Sequence, residues 1–268
     1  MTIFARLLAD RRRAAAWWAL GMVAGVASIV GLWPSVENNS QIEDVVKGLP
    51  TGVQALLGNE PAISFTSAAG YLQARLFSTV LPILLLVYAI GLGARAIGGA
   101  EEDGTLQLVV VSPLTRRRIA VERMAGSITL VLGLVAVGAA TTIALGAAVG
   151  IFATLSVGRV LVETAAITEL ALLHLAIAFA AGAATGRRGP ALAAAGAVAV
   201  GTYVLHGVAA AAPAVRPLRI ASPWWWLLDR NLLVHDPTFL AVGLPLLVAA
   251  ITFAVGLAAY ERRDLRFP

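Results

Sequence analysis

Cysteine is absent from all 268 residues, so no disulfide, thiolate zinc site, iron–sulfur cluster or cysteine nucleophile can occur in this chain. Charge is scarce: 13% of residues are Asp, Glu, Lys or Arg, against roughly 25% in a soluble domain. So few charges cannot clothe a water-soluble surface of this size. Lysine occurs once, as Lys47-Gly48, so the Gly-Lys-Ser/Thr of a Walker-type phosphate loop is missing and the chain cannot split ATP by that route. The histidines stand as Leu173-His174-Leu175, Leu205-His206-Gly207 and Val234-His235-Asp236. None has the His-Glu-x-x-His spacing that sets two zinc ligands on one helix face. A Gly-x-Ser-x-Gly elbow is missing as well. An intramembrane aspartyl protease needs two aspartates within apolar spans, yet Asp10, Asp44, Asp103, Asp229, Asp236 and Asp264 all lie outside them.

What is abundant is apolar sequence, 59% of residues with a mean hydropathy of +0.84. It comes in runs of the length that crosses a hydrocarbon core of about 30 Å at 1.5 Å per residue. Six such runs predict an all-α integral membrane protein with one transmembrane domain over 1–268 and spans at about 14–33, 76–94, 125–150, 163–185, 191–212 and 238–260. The fourth is the shortest uncharged run, and to span it must take in Glu163, Glu169 or both. The fifth is so rich in Ala, Gly and Val that it is expected to pack among other helices rather than face lipid. The arginines ahead of the first span resemble the start of a signal peptide, but the run is too long and exits through Leu32-Trp33-Pro34 with no small-residue cleavage site. It is expected to stay as an anchor. Ile3, Phe4, Leu7 and Leu8 before it share one face and suit a short separate helix in the membrane interface.

Basic residues set the orientation, because they are retained on the cytoplasmic side. Of twenty, fourteen fall on one side: Arg6, Arg11, Arg12, Arg13, Arg95, Arg116, Arg117, Arg118, Arg123, Arg187, Arg188, Arg262, Arg263 and Arg266. Both termini are therefore predicted to be cytoplasmic, with an outer loop at 34–75. In that loop Ile42, Val45, Val46 and Leu49 recur at helical spacing. Trp17, Trp18, Trp33 and Trp224 to Trp226 read as interfacial belts.

The most informative stretch is the cytoplasmic segment 95–124. Glu101, Glu102 and Asp103 stand where an inside loop is expected to be basic, and Asp103 can cap a short amphipathic helix carrying Leu106, Val109 and Val110 on one face. Ser112-Pro113 reads as N-cap and first position of the next helix. Arg116, Arg117 and Arg118 would then lie at the headgroups, with Glu122 one turn from Arg118. Physical chemistry alone leaves two readings open, a solvated re-entry into the interface or a docking site for a cytosolic protein.

This stretch resembles the second cytoplasmic turn of type-two ABC exporter permeases, which runs Glu-x-x-x-Gly-Thr-Leu-x-x-Leu, then Ser/Thr-Pro-x-Ser/Thr-Arg. The matching residues are Glu101 or Glu102, Gly104-Thr105-Leu106, Val109 or Val110 in place of the usual leucine, and Ser112-Pro113-Leu114-Thr115-Arg116. Leu49-Pro50, Gly70-Tyr71-Leu72, Ser222-Pro223-Trp224 and the tail Tyr260-Glu-Arg-Arg-Asp-Leu265 extend the resemblance. Arg123 stands where such chains carry lysine. The resemblance implies a six-span permease without its own ATPase site and with no cofactor of its own. It would form half of a dimeric pathway with a second permease, identical or homologous. A separate cytosolic subunit, two copies per complex, would bind Mg-ATP and dock on a coupling helix between spans two and three. It further implies export across a bacterial plasma membrane, with no nucleic acid involved.

Inside the spans, Glu163 and His174 share a face of the fourth, beside Glu169, and Tyr203 and His206 share one of the fifth. They are either structural hydrogen-bonding groups or linings of a pathway. Two rival functions use the same residues: a membrane scaffold that docks a cytosolic protein and moves nothing, and a proton-driven transporter with Glu163, Glu169 and His174 as its relay.

Overall fold

The computed structural model describes residues 2–37, 39–56, 63–105, 114–228 and 231–263, all of it helices and turns without a strand. Six helices are long and apolar enough to cross a membrane. They are α1 (Ile3–Val30, continued by one turn at Trp33–Val36), α4 (Ala68–Glu102), α5 (Arg116–Ala148), α6 (Val157–Thr185), α7 (Arg188–Ala211) and α9 (Leu244–Arg262). Between α1 and α4 lie the short helices α2 (Ser40–Lys47) and α3 (Thr51–Leu56), and between α7 and α9 lies α8 (Pro223–Leu228).

The centre of the bundle is α4 and α6. Their most apolar stretches are 61% and 67% buried within the chain, against 17% for α1, 22% for α5 and α9, and 28% for α7. In lipid, apolar side chains gain nothing by leaving the bilayer, so close approach must come from small residues at the crossings. A Cβ on Gly93 of α4 would sit 2.4 Å from the Leu175 carbonyl of α6, and one on Gly256 of α9 would sit 2.6 Å from Ala180 Cα. The fifth span meets the expectation on one face only: Ala191, Ala195 and Ala199 of α7 are buried against the bundle, whereas Val200, Val204 and Val208 are exposed. Small residues permit close packing but do not say which helix arrives.

Helix ends differ from the apolar runs in a systematic way, because hydropathy marks the lipid-facing length and a helix continues past it. There is no separate interfacial helix at the N-terminus. Residues from Ile3 onward run unbroken into the first span and pack on α5, where Leu7 lies against Gly126. The Glu122 carboxylate ties the two together, accepting from the Phe4 N–H at 3.3 Å and from Arg118 Nε at 2.9 Å. The third span begins at Arg116 with Thr115 as its cap, the Thr115 hydroxyl accepting from the Arg118 N–H at 3.3 Å. The predicted start at Pro113, capped by Ser112, fails because Leu114 and Thr115 are not helical; Ser112 and Pro113 themselves lie outside the described residues.

The two ends of the described chain meet one face of the bundle, called here the terminal face: Phe4 is bonded to the start of α5, and Arg263 also touches that start. On the opposite, distal face the chain after α7 folds back. The Ser222 hydroxyl donates to the Thr202 carbonyl at 2.8 Å and Trp224 Nε1 to the Ala199 carbonyl at 2.9 Å. Ala199 lies about 18 Å back along α7 from its end at Ala211, so α8 descends beside α7. The chain then climbs to the start of α6, where Arg159 donates to the His235 carbonyl at 2.6 Å and pairs with Asp236 at 2.9 Å. Trp224 is thus a buried packing residue, as is Trp33 against Tyr71, rather than a member of an interfacial belt. Trp17, 74% exposed, fits a belt.

The 34–75 loop is pinned by Glu43. Of the predicted face, Ile42 and Val46 of α2 are turned inward while Val45 is exposed. Partial burial pushes the Glu43 carboxyl up, but hydrogen bonds from Ser64 (2.9 Å) and the Thr66 N–H (3.2 Å), with Lys47 at 3.3 Å, outweigh this and hold it below the usual range.

Candidate partner-coupling site and the polar groups of the spans

The segment predicted to couple to a partner leaves α4 through an abrupt helix end. Gly104 adopts φ +67°, the left-handed conformation that glycine takes without penalty. Its N–H donates to the Glu101 carbonyl at 3.1 Å, the Asp103 N–H to Gly99 at 2.9 Å, and the Thr105 hydroxyl to Ala100 at 3.1 Å. Asp103 therefore closes the preceding helix, where the sequence predicted a cap for the following one. Leu106, Val109 and Val110, the predicted apolar face, lie outside the described residues.

The two flanks of that segment are held by one residue. Glu101, 7% exposed, receives both Nη atoms of Arg263, one at 3.0 Å from Oε1 and the other on Oε2. Arg263 Nε donates to the Ala183 carbonyl at the end of α6 (3.0 Å), and Arg116 Nη1 donates to the Arg263 carbonyl at 2.6 Å. The guanidinium fork suits this geometry, with two parallel bonds to a carboxylate and a third donor left for the neighbouring helix. Gly186, at φ +69°, leaves room for it, since a Cβ there would sit 2.5 Å from Arg263 Nη1 and 2.8 Å from Glu101 Oε1. Alongside, Arg123 Nη1 donates to the Ala96 carbonyl at 3.0 Å. Glu102 and Asp103 are exposed at the tip. Sequence reading named Glu101 and Arg116 but missed Arg263 and Gly186. Its only signal was the charged Tyr260-Glu-Arg-Arg tail after the sixth span.

The polar residues within the spans fall into separate settings. Glu163, fully buried, accepts from Gln73 Nε2 at 3.2 Å through Oε1, while its Oε2 is buried without a hydrogen-bond partner among the described residues. Gln73 reaches it from a wide, π-helical stretch of α4, Leu72–Val80. Glu169 accepts from the Gly243 N–H at 2.7 Å, so this carboxylate meets the positive end of α9. His174 is bonded through Nδ1 to Leu170 of its own helix at 2.8 Å. Tyr203 and His206 do act together: Tyr203 Oη donates to the Leu56 carbonyl at 3.1 Å and His206 Nε2 to Ala55 at 3.2 Å, fastening α3 across α7.

The geometry is that of a rigid membrane bundle with a short, firmly footed loop on its terminal face. No curated protein and no solved structure matches the chain. A family model described as the ABC-2 family transporter protein matches residues 1–265, so the chain belongs to the ABC-2 transporter family, as a multi-pass membrane permease and not as the ATPase.

Proposed function

We propose that this permease is half of a dimeric export pathway in a bacterial plasma membrane. A second permease, identical or homologous, completes the pathway, and two copies of a separate cytosolic subunit supply Mg-ATP hydrolysis. The terminal face is cytoplasmic, because thirteen of the fourteen basic residues read as cytoplasmic are described and lie toward its helix ends. The ATPase docks on the coupling segment: Leu106, Val109 and Val110 fill its groove, Glu101, Glu102 and Asp103 meet its polar groups, and Gly104, Thr105, Ser112, Pro113 and Arg116 shape and foot the segment.

The observation that carries this reading is the Arg263 clamp. A loop that transmits a stroke must not yield at its feet, and here both feet are bound to one guanidinium-bearing residue anchored on α6. The proton-relay reading gains no support, since Glu163, Glu169 and His174 are each engaged by a different element.

The test is co-purification of the tagged chain from native membranes. A stoichiometric protein carrying Gly-x-x-x-x-Gly-Lys-Ser/Thr is expected. Leu106→Asp and Gly104→Pro are expected to abolish its recovery while membrane insertion stays intact. Recovery equal to wild type with both variants would overturn the assignment. Docking without substrate flux or substrate-stimulated ATP hydrolysis would favour the scaffold instead.

A further inference from the structure

Away from the clamp, the terminal face holds a second group of arginines for which the coupling reading has no use. The rings of Trp18 on α1 and Tyr88 on α4 lie 5.2 Å apart, and Arg11 and Arg95 stand seven residues nearer the terminal face on these two helices; a Cβ on Gly98, one turn beyond Arg95, would sit 2.7 Å from the Arg187 carbonyl, next to Arg188 of α7. Arg95 thus stands among like charges, with Asp103 the acid that reaches it. Arg11 also acts on Arg123. All four side chains are half-buried, and the Nε atoms of Arg123 and Arg188 are buried without a hydrogen-bond partner among the described residues. Guanidinium groups gathered on one face repel one another, and a further anion among them relieves that cost.

The depth of the group selects the anion. Arg95 lies seven residues, about 10 Å, inside the end of α4 at Glu102, and Arg11 about 12 Å inside the start of α1 at Ile3. They lie below the tips where the coupling segment emerges, at the level of the headgroup layer. From Arg95 a stripe runs along α4 toward mid-bilayer through Gly91, where a Cβ would meet nothing within 4 Å, then Val87 and Ile83, 56% and 55% exposed. Arg95 to Ile83 is about 18 Å of helix, close to the depth of one leaflet of a core about 30 Å thick. A polar anion with an apolar body of that length matches both parts of the surface.

We propose that Arg11, Arg95 and Arg188 bind the phosphate headgroup of an anionic phospholipid of the cytoplasmic leaflet, whose acyl chains lie along Gly91, Val87 and Ile83. Basic pockets between membrane helices on the cytoplasmic side take such headgroups, with charge-assisted bonds to the phosphate oxygens. The site rests on the cytoplasmic orientation of this face and is independent of ATPase docking.

The experiment is native mass spectrometry of the full chain, with any ATPase that accompanies it, extracted from vesicles of equal phosphatidylglycerol and phosphatidylcholine. Wild type and the exposed-site control Arg12→Gln are expected to retain phosphatidylglycerol preferentially. Arg95→Gln with Arg188→Gln is expected to lower that preference by roughly thirtyfold. Arg95→Lys with Arg188→Lys, which keeps both charges, is expected to retain most of it, and so guards against misfolding of the neutral pair. The proposal is overturned if wild type shows no preference, if the neutral pair keeps it, or if the lysine pair loses it as fully as the neutral pair. It is also overturned if excess inorganic phosphate abolishes the preference, which would mark a site for free anions. Loss of the ATPase with the lipid preference unchanged would assign these arginines to the partner and sink the lipid site.

Discussion

Two buried glutamates, one at each end of the bundle, are stabilised in opposite ways. Glu101 on the terminal face is met by a guanidinium that also binds Ala183 and stands over the start of α5. Glu163 toward the distal face is met by the Gln73 amide on one oxygen, its other oxygen having no partner among the described residues. The first joins three helices through an ion pair; the second joins a wide turn of α4 to α6 by one hydrogen bond to a neutral amide. The difference separates a face fixed by a charge pair shared among helices from one held by a single neutral amide contact. A buried ion pair need add little net stability, yet removing one member strands the other charge.

The sharpest way to break this comparison is Arg263→Ala beside Glu163→Gln. Arg263→Ala is expected to cost about 3 to 5 kcal/mol, because Glu101 stays buried without its partner. Glu163→Gln keeps the shape and an acceptor for Gln73 and is expected to cost under about 1 kcal/mol. Thermal unfolding in detergent measures both. Equal losses would mean that Glu163 is held as an ion as firmly as Glu101.

A smaller effect sharpens the terminal side of the comparison. Gly186 and Gly104 are both left-handed, but only Gly186 is crowded. Gly186→Ala is expected to cost about 3 kcal/mol, backbone strain plus displacement of the Arg263–Glu101 pair. Gly104→Ala carries the strain alone, about 1 to 2 kcal/mol. Similar unfolding temperatures for the two would remove the clamp from the account of this face.

The smallest expected effect concerns the distal loop. Glu43 has its pKa lowered in the folded chain from 4.5, so its contribution to stability is present above that value and is lost as pH falls through the lowered one. Glu43→Gln is expected to flatten this acid limb while leaving stability at neutral pH within about 1 kcal/mol. The check is proteolysis of the 34–75 loop across pH. An acid limb unchanged in the variant would show that other carboxylates set it.

How much of this was legible beforehand differs from residue to residue. Glu122 with Arg118 was readable because one helical turn fixes their spacing. The Glu101–Arg263 pair was not, since 162 positions separate its members and no local period links them. The Tyr203 and His206 pair was recognised as sharing a face, but nothing in α7 names α3 as the element that face would hold. Glu169 was read with Glu163 and His174 as one set, and the fold instead gave it the N-terminus of α9.

The sequence alone determined that the chain carries six helices long and apolar enough to cross a membrane and which of their ends are basic. Both follow from sums over local residues, apolar length against hydrocarbon thickness and arginine count against translocation. Which helices are central, where α8 turns back and which arginine holds the coupling segment were decided only by the tertiary structure. The spans' hydropathies, 1.6 to 2.3, do not follow burial, since α5 at 2.3 is peripheral and α6 at 1.8 is central; close small-residue crossings and single long-range hydrogen bonds rank them instead.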